Sequence, residues 1–206
     1  MHISDGVLSP AVITAGWVIT ILLLLATLWW SKRDVDIAEE IPKISVMTGA
    51  FFVASLIHVS IGPTSVHLVL NGLLGVVLGT LAYPAIFIGL VLQALLFQHG
   101  GITSIGVNVI NMGIPALIAY GIFKKGYSTG ISPSILGIIC GSMATMLSAI
   151  MLAIVLISTG EEFTEVAYAA AAANIPIMII EGILTGSVVT FLLKVRPELL
   201  PINKEK

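Results

Sequence analysis

Apolar residues in this chain come in long blocks rather than in alternation. The blocks lie near 10–30, 43–59, 65–82, 85–99, 106–123, 133–158 and 167–194, separated by short links. A helix needs about 20 apolar residues to cross a bilayer, fewer where protein surrounds it. The pattern predicts an all-α integral membrane protein with about seven spanning helices. The links carry the expected breakers. Tyr83-Pro84 interrupts one apolar stretch, because proline disfavours helix at the residue before it. Gly100-Gly101 and the glycines at 126 and 130 mark two more turns. Small residues recur at helical spacing at Gly137/Gly141 and Gly182/Gly186, which permits close helix contacts, and such small-residue faces are expected to meet partner proteins.

Composition agrees with the blocks. Of 206 residues, 57% are hydrophobic and 10% charged, whereas a soluble domain carries roughly 25% charged residues. The net charge of −2 argues against nucleic-acid binding. The single cysteine, Cys140, lies in an apolar run and excludes an internal disulfide. The first apolar run is not read as a cleaved signal: no basic residue precedes it, it is long enough to span, and Lys32 and Arg33 follow it. The nine basic residues (Lys32, Arg33, Lys43, Lys124, Lys125, Lys194, Arg196, Lys204 and Lys206) all fall on one side if the N-terminus is outside and the C-terminus cytoplasmic. Glu161, Glu162 and Glu165 then occupy an outer link. The chain reads as one domain: a segment 1–9, a first helix 10–30, a core 43–194 and a tail 195–206.

On this layout the unusual polar residues gather on one side. Met1, His2 and Asp5 lie outside. His58 ends the second helix, His67 begins the third, Gln98 and His99 end the fourth, and Asn108 and Asn111 begin the fifth. His67 and Asn71 are four apart and are expected to share a helix face. Polar groups in a membrane are costly and face the bundle interior, so an outward-opening polar site is expected. An interfacial histidine is also an ordinary solvated end-cap, and that reading suits His58 and His99 best. Glu181, in mid-span, is either a buried packing residue or part of a surface that couples to a partner.

Met1-His2 has specific chemistry when the α-amine is free. The amine, the amide nitrogen of residue 2 and Nδ1 of His2 close a five- and a six-membered ring on one metal ion. Three corners of a square are filled and the fourth needs an outside donor, for which His67 is the best candidate. A planar all-nitrogen set suits Ni(II) or Cu(II) and disfavours Mg and Ca. Asp5, Asn71 and Asn108 are candidates to orient the imidazoles from behind, with Asn111 and His99 next to them.

Several segments resemble one family. The opening Met1-His2-Ile3-Ser4-Asp5-Gly6-Val7-Leu8-Ser9-Pro10 is similar to the N-terminal signature of the NikM/CbiM proteins, the substrate-capture membrane subunits of energy-coupling-factor transporters for nickel and cobalt. The run from Gly62-Pro63-Thr64-Ser65-Val66-His67 through Asn71-Gly72-Leu73-Leu74-Gly75 resembles the second signature in its nickel branch. Residues 93–101 and 106–113 match further segments. The likeness covers most of 1–125 and is more diffuse beyond. Ser4 stands where relatives often have Pro or Ala. The resemblance implies an extra first helix ahead of a six-helix capture core, an N-terminal segment inserted into that core, and Met1, His2 and His67 as ligands. It implies Ni(2+) as substrate, with Co(2+) the alternative; cobalt-branch relatives tend to carry a Ser-His-Pro-Thr-Gly type segment that is lacking here. It also implies, as partners, a transmembrane coupling subunit, a cytoplasmic ATPase pair and a small accessory membrane subunit.

No Gly-rich phosphate loop followed by Lys-Ser/Thr occurs, so the chain is expected to be a transport subunit and not an enzyme, with no organic cofactor. A serine–histidine hydrolase would use Ser60, Ser65, His58 and His67, yet no Gly-x-Ser-x-Gly elbow is present. A secondary metal transporter would want mid-membrane carboxylates, and only Glu181 qualifies.

Overall fold

A computed structural model describes residues 2–201. Its helices are α1 (Pro10–Asp34), α2 (Ile37–Ala54), α3 (Asn71–Leu78), α4 (Ala82–Phe97), α5 (Ile105–Ser128), α6 (Pro133–Thr159) and α7 (Thr164–Val195), with one two-stranded hairpin, β1 (His58–Ile61) and β2 (Thr64–His67). Local chemistry sets the starts. Ser9 caps α1 with Pro10 at its first position, and Asp36 accepts the Ala38 N–H at the head of α2.

Five stretches among the described residues are long and apolar enough to cross a membrane: Pro10–Asp34, Asn71–Phe97, Ile105–Ser128, Pro133–Thr159 and Glu161–Val195. Their outward faces carry large apolar side chains such as Leu22, Leu25, Ile154, Ile183 and Phe191, while Thr20, Asn71, Asn108, Ser148 and Glu181 are buried inside. This polarity, apolar outside and polar within, is that of a bundle dissolved in lipid.

The stretch Asn71–Phe97 folds back on itself. Gly79, at φ 62°, turns the chain through a short 3₁₀ segment, Gly79–Leu81, into α4. Going down, a Cβ on Gly75 would strike the main chain of Ala116 and Gly79 lies by Tyr120; coming back, Tyr83 packs on Gly113. Thus α3 and α4 run down and up beside α5. At the turn, Thr80 meets the hydroxyl of Ser31 at 2.6 Å, in the last turns of α1, where Lys32 and Arg33 follow.

Three expectations change. The third helix does not span 65–82: β-branched Val59, Ile61, Thr64 and Val66 around a Gly62-Pro63 turn form the hairpin instead, and α3 starts at Asn71. The break is at Gly79, not Tyr83-Pro84; Pro84 sits in the first turn of α4, where its missing N–H removes no helical bond. The second helix runs Ile37–Ala54, so His58 belongs to β1 and not to the helix end.

The small-residue faces are used inside the molecule. A Cβ on Gly137 would meet the backbone of Gly186, and one on Gly141 the Glu181 carbonyl, so these faces zip α6 to α7 and are not turned to a partner.

Candidate metal site

The first residues lie along the hairpin. In it His58 pairs with His67, and Ile3 forms a bridge to Thr64 while the Ser4 N–H donates to the Pro63 carbonyl at 3.1 Å. From the other side Asn108 of α5 clamps Ile3. Its Oδ1 accepts the Ile3 N–H at 2.9 Å and its Nδ2 donates to the Ile3 carbonyl at 3.1 Å, which also accepts the Ser104 hydroxyl at 2.6 Å. One step on, the Asp5 carboxylate accepts the N–H groups of Ile102 and Thr103, each at 3.0 Å, and the Thr103 hydroxyl. Burial alone would raise the Asp5 carboxyl, but these bonds, together with one from the Ser104 N–H, hold it below its usual range.

So anchored, His2 is 2% exposed and stacks between two other imidazoles, with ring centroids 4.8 Å from His67 and 4.5 Å from His99. Its Nδ1 lies 3.0 Å from Nε2 of His67. The far nitrogens are both tied. His2 Nε2 lies 2.7 Å from the carbonyl oxygen of the Gln93 amide, and His67 Nδ1 lies 2.6 Å from the Leu68 carbonyl. Each oxygen only accepts, so each far nitrogen carries the proton. The facing nitrogens, His2 Nδ1 and His67 Nε2, therefore present lone pairs to each other. Two adjacent corners of a square around one ion, with metal–nitrogen bonds of about 2.0–2.1 Å, stand about 2.9 Å apart. The observed spacing fits that geometry.

Burial, above all, pushes the pKa of both His2 and His67 well below the imidazole value. His99 is pushed down to about 4, by burial first and His58 second. The cluster is thus neutral at pH 7, the state in which imidazole binds metals. Among the described residues no group of three or more His, Cys, Asp or Glu is arranged to hold a metal ion. A site on His2 and His67 needs its further donors from elsewhere; Met1 lies outside the described residues.

The remaining candidates spread out. His99 stacks on His2 and its Nε2 meets the Ser65 hydroxyl at 3.2 Å. Asn108 and Asp5 hold the main chain beside His2 rather than an imidazole. Asn71 shares no helix face with His67, since His67 closes β2; its amide donates to the Met112 carbonyl and to Ser148. Asn111 is buried, and neither of its side-chain polar atoms has a hydrogen-bond partner among the described residues. Glu181 turns inward and accepts the N–H groups of Val69 and Leu70, just after His67. Gln93 was not singled out as a site residue by sequence; a lone amide in the apolar run of α4 was the available signal.

Comparison with known proteins bears on this arrangement. The model of the family described as "cobalt uptake substrate-specific transmembrane region" matches residues 2–199. The chain belongs to the CbiM family. CbiM relatives include a cobalt transport protein of Desulforamulus reducens, 32% identical with 98% of this chain and 84% of that protein covered. A fused nickel transport protein NikMN of Rhodobacter capsulatus is 31% identical over 61% of this chain and 37% of its own length. A crystal structure of a truncated transition metal transporter superposes with a TM-score of 0.84 at 26% identity, covering 94% of this chain and 99% of that one. As a CbiM protein, the chain is a multi-pass membrane subunit for cobalt or nickel uptake.

Proposed function

We propose that this protein captures Ni(II) at its histidine end and passes it across the membrane as the substrate-binding subunit of an ATP-driven energy-coupling-factor transporter. The ligands are the α-amine of Met1, the main-chain nitrogen and Nδ1 of His2, and Nε2 of His67. The observation that carries this reading is the 3.0 Å approach of two imidazole nitrogens whose outer nitrogens are both tied to carbonyl oxygens. With two main-chain donors the set is planar and all-nitrogen, which favours nickel over ions that prefer oxygen or a tetrahedron.

In this reading the histidine end faces outward and the C-terminus is cytoplasmic, with all seven helices, α2 and the α3–α4 hairpin included, forming one membrane domain. A transmembrane coupling subunit and a cytoplasmic ATPase pair supply the driving force. The positive-inside distribution supports the orientation.

The test adds one residue before Met1 and titrates the purified protein with nickel and cobalt. Moving the amine out of its five-membered ring is expected to abolish tight nickel binding, whereas His67→Ala leaves a weaker partial chelate. Unchanged nickel affinity in the extended protein refutes the ligand set. A preference for cobalt in the unextended protein refutes the choice of ion.

A further inference from the structure

The four histidines form a staircase. Ring centroids step 4.1 Å from His58 to His99, 4.5 Å from His99 to His2 and 4.8 Å from His2 to His67. Burial deepens along it: His58 is exposed, His99 partly buried, and His2 and His67 each 2% exposed. The upper steps line an open cavity together with Ser60, Ser65 and Gly100. No lysine or arginine lines that cavity among the described residues.

The nitrogens suit a landing point. His58 Nδ1 lies 3.3 Å from the Leu56 carbonyl and so carries the proton, leaving a lone pair on Nε2. His99 Nε2 is engaged with Ser65. A hydrated divalent ion sheds its water in steps, and imidazole is the side chain that best replaces water on nickel, copper or zinc.

We infer that His58 and His99 form a first-contact site for a divalent transition-metal ion at the mouth of the cavity, from which the ion is handed to His2 and His67. The inference rests on the capture reading above. A way station has a kinetic signature that a final ligand lacks. By microscopic reversibility it lowers the barrier in both directions, so it changes both rate constants alike and leaves their ratio unchanged.

The test is stopped-flow binding of nickel to the full chain in lipid nanodiscs, following the absorbance of the bound ion. The His58 ring stacks on His99, and its strand pairing with His67 is made by the main chain, which alanine keeps, so His58→Ala leaves the hairpin register in place. Association and dissociation are both expected to slow by about tenfold, a barrier change of about 1.4 kcal/mol, with Kd kept within about twofold. Unchanged rates in His58→Ala overturn the inference, as does faster dissociation alone, which would make His58 a ligand of the final site. A wild-type protein that binds no nickel refutes the capture reading instead, so the two failures are distinguishable.

Discussion

Glu181 holds Leu70 in a backbone conformation that leucine rarely adopts. Leu70 sits at φ 56°, and its N–H, with that of Val69, donates to one carboxylate oxygen of α7, the Leu70 bond being 2.8 Å long. His67 lies just upstream and α3 just downstream, so the acid fixes the joint between the candidate site and the bundle. Glu181→Ala orphans two buried N–H groups at about 1–3 kcal/mol each. It is expected to lower thermal stability by several kcal/mol and to weaken nickel binding. Glu181→Gln keeps an acceptor oxygen and is expected to recover most of the stability. Melting curves and nickel titration of the two variants side by side decide this; equal loss in both would show that the charge matters more than the acceptor.

Gln93 orients His2 from behind at 2.7 Å. Partners of this kind are worth about 10–100-fold in metal affinity. Gln93→Leu is expected to weaken nickel binding by that much while leaving the melting temperature of the metal-free protein nearly unchanged. A fall in melting temperature with unchanged affinity would assign Gln93 to packing alone.

Acid should loosen the empty site. His2 and His67 have pKa values depressed by burial, so the unfolded chain binds protons more readily than the folded one. Their contribution to stability is complete above the ordinary imidazole value near 6.5 and is lost as pH falls below it. Each adds a slope of up to about 1.4 kcal/mol per pH unit in that range. Stability of the metal-free protein at stepped pH is expected to decline below about 6.5, and the decline should flatten when both histidines are replaced by Ala.

Glycine positions separate packing from exposure. A Cβ on Gly75 would run into the Ala116 main chain, whereas one on Gly49 would meet nothing within 4 Å. Gly75→Leu is expected to force α3 from α5 and abolish folding, as read by detergent-resistant melting, and Gly49→Leu to change stability by less than about 0.5 kcal/mol.

The sequence made the membrane class legible because lipid demands unbroken apolar runs, and α1, α5, α6 and α7 fall where the runs predict. The hairpin and the short α3 were hidden for the same reason. Residues 65–82 are predominantly apolar, and periodicity alone cannot tell a buried strand and half-helix from a full span. Grouping His2, His67 and His99 needed only their shared side of the layout. Gln93, the Leu68 carbonyl and the inward turn of Glu181 depend on long-range register: Gln93 meets a residue 91 positions away and Glu181 one 112 away. No local spacing encodes such pairs.

Between His67 and Asn71 the interior holds three residues that belong to no helix or strand. Their polar groups are met by side chains: Glu181 takes two N–H groups and His67 faces one carbonyl. Elsewhere at this depth the main chain's polar groups bond to one another within helices. Here they depend on side chains, so the shape of this joint is only as fixed as one imidazole and one carboxylate make it.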